Sequence, residues 1–348
     1  MPNKEDVIKI QNQKISFEEL FNKKIDYSNK EYDYLNQKVI LVTGGGGSIG
    51  SVLIQRLLES SCKKIIILDH SEYAIFKIKL KFKDEIDNNR LQLFLGDIRN
   101  KELLKKLFSL FSIQIIYHAA AYKHIDILEN NIEESQSVNI DATLNLLDIA
   151  LTNHDVEQFI FISTDKAVQP INIMGISKRI AELNLLKKII KKEIPTTLEI
   201  KIIRFGNVFN SSGSVFTIFK YQIENQLPIT ITNKNMNRYF ISKYQASRGL
   251  IEIASPINRS GIYTLDMGNS YNIDDLLNIF LQKLNLDYKP KIIYLNRISN
   301  FEKFEEQLYF PFEGIENNIS IYKKIILNNY DISNIETEIT NLMQILKN

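Results

Sequence analysis

Runs of Ile, Leu and Val alternate with amphipathic segments between residues 38 and 205, and this alternation constrains the fold more than any other feature. Continuous apolar runs are typical of strands that are buried on both faces of a parallel sheet. The predicted strands are 39–42, 65–68, 91–95, 113–117, 159–162 and 200–203. The predicted helices between them include 49–58, 101–110, 133–151 and 177–190. The pattern therefore predicts an α/β fold with a doubly wound parallel sheet.

The pattern of apolar and polar segments divides the chain into three parts. Residues 1–37 form an N-terminal extension, in which 15–21 predicts a short helix with Ser16 as N-cap and Glu19 closing a capping box. We expect residues 38–205 to form a Rossmann domain around this sheet. Residues 206–348 mix loops, short helices and strands. We expect this last part to be mainly a smaller substrate-binding lobe, with some segments returning to the sheet.

Composition excludes several classes of protein. The 43 basic and 41 acidic residues give a net charge of +2, so no global field indicates nucleic acid. The single cysteine, Cys62, excludes a disulfide framework and fits a reducing compartment. Apolar runs fall short of the roughly 18 residues of a membrane helix, and the polar N-terminus shows no secretory signal. We expect a cytoplasmic protein without membrane insertion.

A glycine-rich loop joins the first predicted strand to the first predicted helix. Gly44, Gly47 and Gly50 have the spacing G-x-x-G-x-x-G within the string TGGGGSIG at 43–50. Residues without a Cβ let backbone N–H groups and the helix N-terminus approach a pyrophosphate. Four glycines also suit a flexible loop, but the strand before and the helix after favour a dinucleotide site.

Three strand ends add to this cofactor site. Asp69 ends the second strand, where a carboxylate accepts hydrogen bonds from the adenosine ribose and repels a 2′-phosphate, so NAD is favoured over NADP. Asp97 ends the third strand, where its side chain can take the adenine amino group. Ala119, Ala120 and Ala121 follow the fourth strand, and small side chains there admit the nicotinamide half.

An acid and an amine stand side by side after the fifth strand. Asp165 and Lys166 follow Ser163 and Thr164, where doubly wound sheets place their reactive groups. A surface ion pair is the alternative interpretation. Met174 and Lys178 come next, four residues apart and therefore on one face of the predicted helix.

These motifs together resemble the polysaccharide-biosynthesis branch of the extended short-chain dehydrogenases, and in particular the UDP-N-acetylglucosamine 4,6-dehydratases. The strings that carry the resemblance are TGGGGSIG (43–50), DHSE (69–72), GDIR (96–99), HAAAYKH (118–124), STDKAV (163–168), MGISKR (174–179) and RFGNV (204–208). The resemblance covers about residues 17–308 of the chain.

The resemblance implies an enzyme that uses NAD and turns UDP-N-acetylglucosamine into a 4-keto-6-deoxy sugar for surface glycan biosynthesis. Lys166 is then the base that removes the C5 proton, Asp165 the acid that protonates the departing C6 hydroxyl, and Thr164 a hydrogen-bonding partner of the 4-hydroxyl. The implied cofactor-binding residues are Gly44, Gly47, Ser48, Ile49, Gly50, Asp69, Asp97, Ile98, Ala119, Ala120, Ala121, Ser163 and Lys178. The implied substrate-binding residues are Lys123, Asn207 and Arg297.

Two departures from the family pattern concern chemistry. Met174 stands where short-chain dehydrogenases usually have a Tyr base, and a thioether has no titratable proton. Asp165 acting through Thr164, or a water, must then take the 4-hydroxyl proton. The family's Arg-Pro-Gly-Glu-Lys segment is replaced by residues 297–303, in which Glu302 and Lys303 remain but the Pro and Gly are absent. This departure leaves the nucleotide and the sugar open.

Other readings stay open. A nucleotide-sugar 4-epimerase would share the fold and cofactor, but it has no use for an acid–base pair at C5 and C6. A non-catalytic NAD-binding scaffold is the second alternative, motivated by Met174. The four histidines, His70, His118, His124 and His154, show no metal-ligand spacing. Members of the superfamily pair through two helices, so 133–151 and 177–190 predict a homodimer or a higher homo-oligomer.

Overall fold

The computed structural model describes residues 6–10, 12–28, 30–295, 300–316 and 321–347. The strands are β1 (Val7–Ile10), β2 (Gln13–Ser16), β3 (Val39–Thr43), β4 (Lys64–Asp69), β5 (Leu91–Leu95), β6 (Ile115–His118), β7 (Gln158–Ile162), β8 (Glu199–Arg204), β9 (Asn207–Val208), β10 (Ile229–Ile231), β11 (Asn237–Arg238), β12 (Phe240–Ile241), β13 (Gly261–Leu265), β14 (Tyr271–Asn272), β15 (Ile292–Tyr294), β16 (Gly314–Glu316) and β17 (Tyr322–Ile326). The α-helices are α1 (Phe17–Phe21), α2 (Gly50–Leu58), α3 (Glu72–Lys81), α4 (Lys83–Asp87), α5 (Lys101–Leu110), α6 (Ile125–Leu128), α7 (Ile132–Ser135), α8 (Ala142–Thr152), α9 (Ile173–Ile190), α10 (Val215–Glu224), α11 (Lys243–Ile253), α12 (Ile273–Leu284) and α13 (Ile332–Ile345).

A nine-stranded sheet with the order β16-β17-β13-β8-β7-β6-β3-β4-β5 organises the molecule. From β13 to β5 every neighbouring pair is parallel, whereas β17 and β16 add an antiparallel edge. The strand order reverses at β3, which lies between β4 and β6. Ligands of such sheets bind at the carboxyl ends of the strands beside this switch point.

The predicted doubly wound parallel sheet is confirmed. The six predicted strands are β3 to β8, with ends displaced by at most two residues. Helices α5, α8, α9 and α13 pack their apolar side chains on one face of the sheet. Helices α2 and α11 cover the other face. Burial on both faces explains why the strands read as continuous apolar runs.

The single helix predicted over 133–151 is interrupted. Its chain forms α7, a π-helical turn at Gln136–Asp141, and α8. Within the π-helical turn, the buried Asn139 side chain accepts a hydrogen bond from Tyr122 N (2.8 Å) and donates one to Tyr122 O (3.0 Å). Helical turns of this kind are frequent beside functional sites. The hydrogen bonds fix the loop that leaves β6.

The N-terminal segment packs against residues from the second half of the chain. Strands β1 and β2 form an antiparallel hairpin, which the sequence analysis does not predict. Helix α1 has the predicted Ser16 N-cap and the Ser16–Glu19 capping box. Phe17 and Phe21 of α1 contact Phe209, and Phe21 also contacts Phe240. This aromatic cluster joins the first residues of the chain to its second half.

Helix α13 covers α9, one of the two helices that predict a dimer contact. Arg179 Nε of α9 lies 2.8 Å from Glu338 Oε1 of α13, and Lys187 Nζ lies 2.6 Å from Glu336 Oε1. None of the residues of α9 is exposed. In the described part of the chain, the helices are too short or too polar to cross a bilayer.

Candidate active site

The glycine loop between β3 and α2 brings two backbones into contact. Gly44 has φ +67°, and a Cβ on it would lie 2.7 Å from Ala120 Cα. Its N–H donates to Leu68 O of β4 (2.8 Å). A Cβ on Gly50 would lie 2.5 Å from Gly44 O. A side chain at either position displaces main-chain atoms, so the loop requires glycine there.

A cleft of about 600 Å³ opens above this loop. The predicted cofactor residues that line it are Gly44, Gly47, Ser48, Asp69, Asp97, Ile98, Ala119, Ala120 and Ala121. Ile49, Gly50, Ser163 and Lys178 are not part of its lining. Gly50 instead lies close to the backbone of Gly44 and Gly45. The volume lies within the range of small-molecule sites.

Both acidic residues of the cleft are held by neighbouring donors. Asp69 is 7% exposed, and its Oδ2 accepts from Gly46 N (2.8 Å) while its Oδ1 accepts from Ser71 N (2.9 Å). Asp97 pairs with Arg99 (2.6 Å), and this hydrogen bond lowers the pKa of Asp97. Asp69 thus fixes the glycine loop at the end of β4. Its remaining lone pairs can accept ribose hydroxyls.

His118 belongs to the scaffold under the loop. Its Nδ1 lies 2.7 Å from Thr43 Oγ1 and its Nε2 lies 2.8 Å from Thr143 Oγ1. Burial lowers the pKa of His118 to about 3, so the ring is neutral at pH 7. In the described ranges, no three or more His, Cys, Asp or Glu side chains are arranged to hold a metal ion.

Thr164, Asp165 and Lys166 follow the end of β7 as one hydrogen-bonded group. Asp165 is fully buried (0% exposed), and its Oδ1 accepts from Thr164 Oγ1 (2.9 Å) and Lys166 Nζ (3.0 Å). Its Oδ2 has no hydrogen-bonding partner within the described part of the chain. Lys166 and Thr164 are partly exposed. The carboxylate is therefore buried against a hydroxyl and an amine that remain partly exposed.

A second buried carboxylate, Glu306, adjoins this group, and the sequence analysis does not identify it. Glu306 is 3% exposed; its Oε1 lies 3.9 Å from Lys166 Nζ, and its Oε2 accepts from Lys303 Nζ (3.1 Å). Burial alone would raise the pKa of Glu306, but the Lys166 and Lys303 ammonium groups outweigh burial and lower it. Glu306 is therefore ionised and compensated by two lysines.

Lys178 and Met174 lie on the first turns of α9. Lys178 Nζ lies 3.8 Å from the centre of the Phe161 ring. Burial lowers the pKa of Lys178 to about 7, although Glu182 offsets part of the shift. Met174 is 5% exposed and packs in the apolar core beside the sheet. Met174 is therefore part of the core packing.

The predicted substrate residues fall in different places. Asn207 Oδ1 accepts from Lys166 Nζ (3.2 Å), so Asn207 belongs to the acid–base group. Lys123 Nζ donates to Ser212 O (2.6 Å) at the border between the two lobes. Burial and the nearby Lys243 and Lys166 ammonium groups lower the pKa of Lys123 to about 8. Arg297 lies outside the described residues.

Comparison with known sequences connects this site to glycan-forming proteins. The family described as polysaccharide biosynthesis protein matches residues 40–318. An uncharacterised membrane protein of Methanocaldococcus jannaschii is 34% identical over 86% of this chain and 92% of its own length. The capsular polysaccharide biosynthesis protein CapD of Staphylococcus aureus is 33% identical over 94% of this chain and 53% of its own, so the chain spans about half of CapD. A UDP-glucose 4-epimerase of Rickettsia prowazekii is 34% identical over 59% of each chain.

Solved structures share the fold. Pen from Bacillus thuringiensis superposes with a TM-score of 0.71 at 28% identity, covering 79% of this chain and 84% of Pen. DesIV, a dTDP-glucose 4,6-dehydratase from Streptomyces venezuelae solved with NAD, gives 0.63 at 23% identity, covering 74% and 84%. A UDP-glucose 4-epimerase from Thermotoga maritima gives 0.63 at 21% identity, covering 76% and 87%. Dehydratases and epimerases therefore share this architecture.

Proposed function

The chain belongs to the polysaccharide biosynthesis protein family, and from that premise we propose that it is an NAD-dependent nucleotide-sugar 4,6-dehydratase. Its substrate is UDP-N-acetylglucosamine and its product a 4-keto-6-deoxy sugar for surface glycans. The observation that carries the proposal is the buried group of Thr164, Asp165 and Lys166 at the carboxyl end of β7. An acid and an amine in this arrangement suit a reaction that moves protons at C5 and C6.

The cleft fits a dinucleotide because its floor lacks side chains. A Cβ on Gly44 would meet the Ala120 backbone, and one on Gly46 would lie 2.3 Å from Ala74 Cβ. The pyrophosphate of NAD would lie on the N–H groups of this loop, with the adenosine ribose at Asp69. Lys178 would hold the nicotinamide ribose, as the family resemblance implies. When bound, NAD supplies hydride transfer, from C4 of the sugar and back to C6.

The first proton step uses Thr164 and Asp165. The Thr164 hydroxyl already donates to Asp165, so it can accept the 4-hydroxyl proton while passing its own to the carboxylate. This relay does the work of the absent tyrosine, because Met174 carries no proton. Oxidation at C4 then leaves a ketone that acidifies the C5 proton.

The elimination uses Lys166. Before it can act as a base, the Lys166 ammonium group releases one proton to solvent, to which this side chain is partly exposed. The Lys166 amine then removes the C5 proton, the C6–O bond breaks, and Asp165 delivers its proton to the departing hydroxyl, which leaves as water. Lys166 finally returns a proton to C5.

Two other functions have specific support. Relatives named UDP-glucose 4-epimerase match 59% of the chain, and an epimerase shares the cofactor and the C4 chemistry. Such an enzyme does not need the Asp165–Lys166 pair. A non-catalytic NAD-binding scaffold agrees with Met174 but gives no reason for three charged groups buried together.

One reaction in deuterated water separates the three functions. The purified protein is incubated with UDP-N-acetylglucosamine and followed by proton NMR. The dehydratase forms a C6 methyl group and exchanges the C5 proton for deuterium. An epimerase gives the C4 epimer with C5 unlabelled, and a scaffold gives no product. A Lys220→Met variant, altered in an exposed ion pair with Glu224 (3.8 Å), is the matched control.

A homodimer remains part of the proposal, with a changed contact. Because α13 covers α9, two subunits that pair on this face would meet through α13 and not through α9 itself. The partly buried Ile339 and Met343 and the exposed Ile345 are apolar positions on α13. Light scattering at micromolar concentration tests the assembly, and a monomer would remove the idea.

A further inference from the structure

The smaller lobe reaches across to the glycine loop. Ser212 N, from the loop after β9, donates to Ser48 Oγ (3.0 Å). Ser212 and Lys243 are the two residues of the second half of the chain that line the cleft, beside Gly46, Gly47 and Ser48. Lys243 is 8% exposed although it carries a charge. The carboxylate of Asp6 interacts electrostatically with the Lys243 ammonium group, so the charge is held at this end of the cleft.

Charge is distributed unevenly along the cleft. Its two acids, Asp69 and Asp97, stand at the ends of β4 and β5, and Asp97 is already paired with Arg99. At the end where Ser212 meets Ser48, the described lining contains Lys243 and no acid. The Lys243 ammonium group lowers the pKa of Lys123, so the two amines lie within electrostatic range of each other. The loop N–H groups and these lysines together suit a doubly charged anion.

The backbone of Lys243 is fixed by the first described residue of the chain. Lys243 N donates to Asp6 Oδ1 (2.7 Å), and Tyr244 N donates to Asp6 Oδ2 (3.1 Å). Asp6 is fully buried (0% exposed). Ser242 and Gln245 complete a capping box on the same turn. The start of α11 is therefore held by a carboxylate from the N-terminal segment.

We propose that Lys243 binds the diphosphate of a nucleotide in the cleft and that Asp6 is the residue that positions it. The inference rests on the proposed function, since it needs a nucleotide in this cleft. The diphosphate has two possible sources, the dinucleotide or the sugar nucleotide. Lys243 lines the same cleft as Gly47 and Ser48, which relates it to the dinucleotide, and its electrostatic interaction with Lys123 relates it to the sugar nucleotide.

Calorimetric titration of the full chain, stripped of bound nucleotide, tests the proposal. ADP probes the dinucleotide site, UDP probes the sugar-nucleotide site, and adenosine lacks the diphosphate. We expect Lys243→Met to weaken the binding of ADP or UDP by about tenfold, because one charge-assisted contact is lost. The affinity for adenosine should not change. The nucleotide whose binding is weakened identifies the source of the diphosphate. Lys220→Met should bind all three ligands as the parent does.

The outcomes separate this inference from the proposed function. A parent protein that binds neither ADP nor UDP contradicts both. A parent that binds them, together with a Lys243→Met variant of equal affinity, overturns the role of Lys243 alone. Unchanged adenosine binding excludes a variant that has merely misfolded.

A double-mutant cycle tests Asp6. Asp6→Asn should weaken the binding of the same diphosphate ligand by a few-fold. In the double variant with Lys243→Met, the affinity should fall no further, because Asp6 acts through Lys243. Additive losses would show that Asp6 only stabilises the fold. Lys243→Arg should recover most of the affinity if the charge is what matters.

Discussion

The cofactor cleft and the acid–base centre, although adjacent, are built in opposite ways. The cleft is made by leaving side chains out, so that Gly44 and Ala120 meet backbone to backbone. The centre is made by burying charges together, with Asp165 and Glu306 on either side of Lys166. The first region tolerates no added atom, whereas the second tolerates no lost charge. Substitutions in the two regions should therefore fail for different physical reasons.

The largest effect should come from Gly44→Ala. The new methyl group would lie 2.7 Å from Ala120 Cα, so the loop must move and cofactor binding should be lost, with all turnover. Calorimetry with NAD measures the loss. Gly268→Ala is the matched control, because Gly268 has the same φ of +67° but its Cβ would contact only the Lys23 side chain. It should cost about 1–2 kcal/mol of stability and bind NAD normally. Equal NAD affinity in both variants would contradict the steric account.

Asp165→Asn should come second. Loss of a proton-transferring acid slows elimination by about 10²–10⁴, while NAD affinity stays at the parent value. If Asp165 also relays the 4-hydroxyl proton, the near-ultraviolet absorbance of reduced nicotinamide will not rise during a single turnover. If that absorbance rises at the parent rate, the relay through Thr164 is wrong and only the acid role remains.

Lys178→Met should change how the free energy of unfolding depends on pH. The pKa of Lys178 falls from 10.5 to about 7 on folding, so the unfolded chain binds more protons between these values and the parent gains stability as pH rises. The variant lacks this gain and should be the more stable protein at pH 7. In urea unfolding, the difference in the free energy of unfolding between the variant and the parent should narrow by about 2–3 kcal/mol between pH 7 and pH 9. A difference that does not depend on pH would contradict the burial of this charge.

The smallest effect should come from Met174→Leu. The substitution conserves volume in the core and removes no proton carrier, so activity should stay within about twofold and stability within about 1.5 kcal/mol. Steady-state kinetics and urea unfolding measure the two quantities. A loss of activity as large as that of Asp165→Asn would give Met174 a role that its packing does not explain.

Local sequence predicts one of these regions better than the other. The glycine loop, the strand ends and the Ser16 cap depend on residues close together in the chain, where steric rules act directly. The acid–base centre was predicted only in its local part, Thr164 to Lys166. Glu306 reaches Lys166 from a segment 140 positions away, and no periodicity marks it.

Contacts between distant residues also explain the other features that the sequence analysis does not predict. Asp6 and Lys243 are 237 positions apart, and a lone acid in a polar N-terminal segment gives no signal. The π-helical turn depends on the contact of Asn139 with Tyr122, which a helical pattern cannot reveal. Helix α13 buries Ile335 and Leu342, but their spacing in the sequence does not say that its partner is α9. Long-range pairing, and not local propensity, decided each case.

We propose that Lys166 is the base at C5, and C5 exchange in a Lys166→Ala enzyme tests this role. The variant is mixed with UDP-N-acetylglucosamine and NAD in deuterated water, with Lys187→Ala, altered in the partly exposed ion pair with Glu336, as the control. We predict that reduced nicotinamide still forms in Lys166→Ala but that C5 keeps its proton, whereas the control exchanges at the parent rate. Exchange at the parent rate in Lys166→Ala would contradict the claim, and His124 would then be the next candidate base.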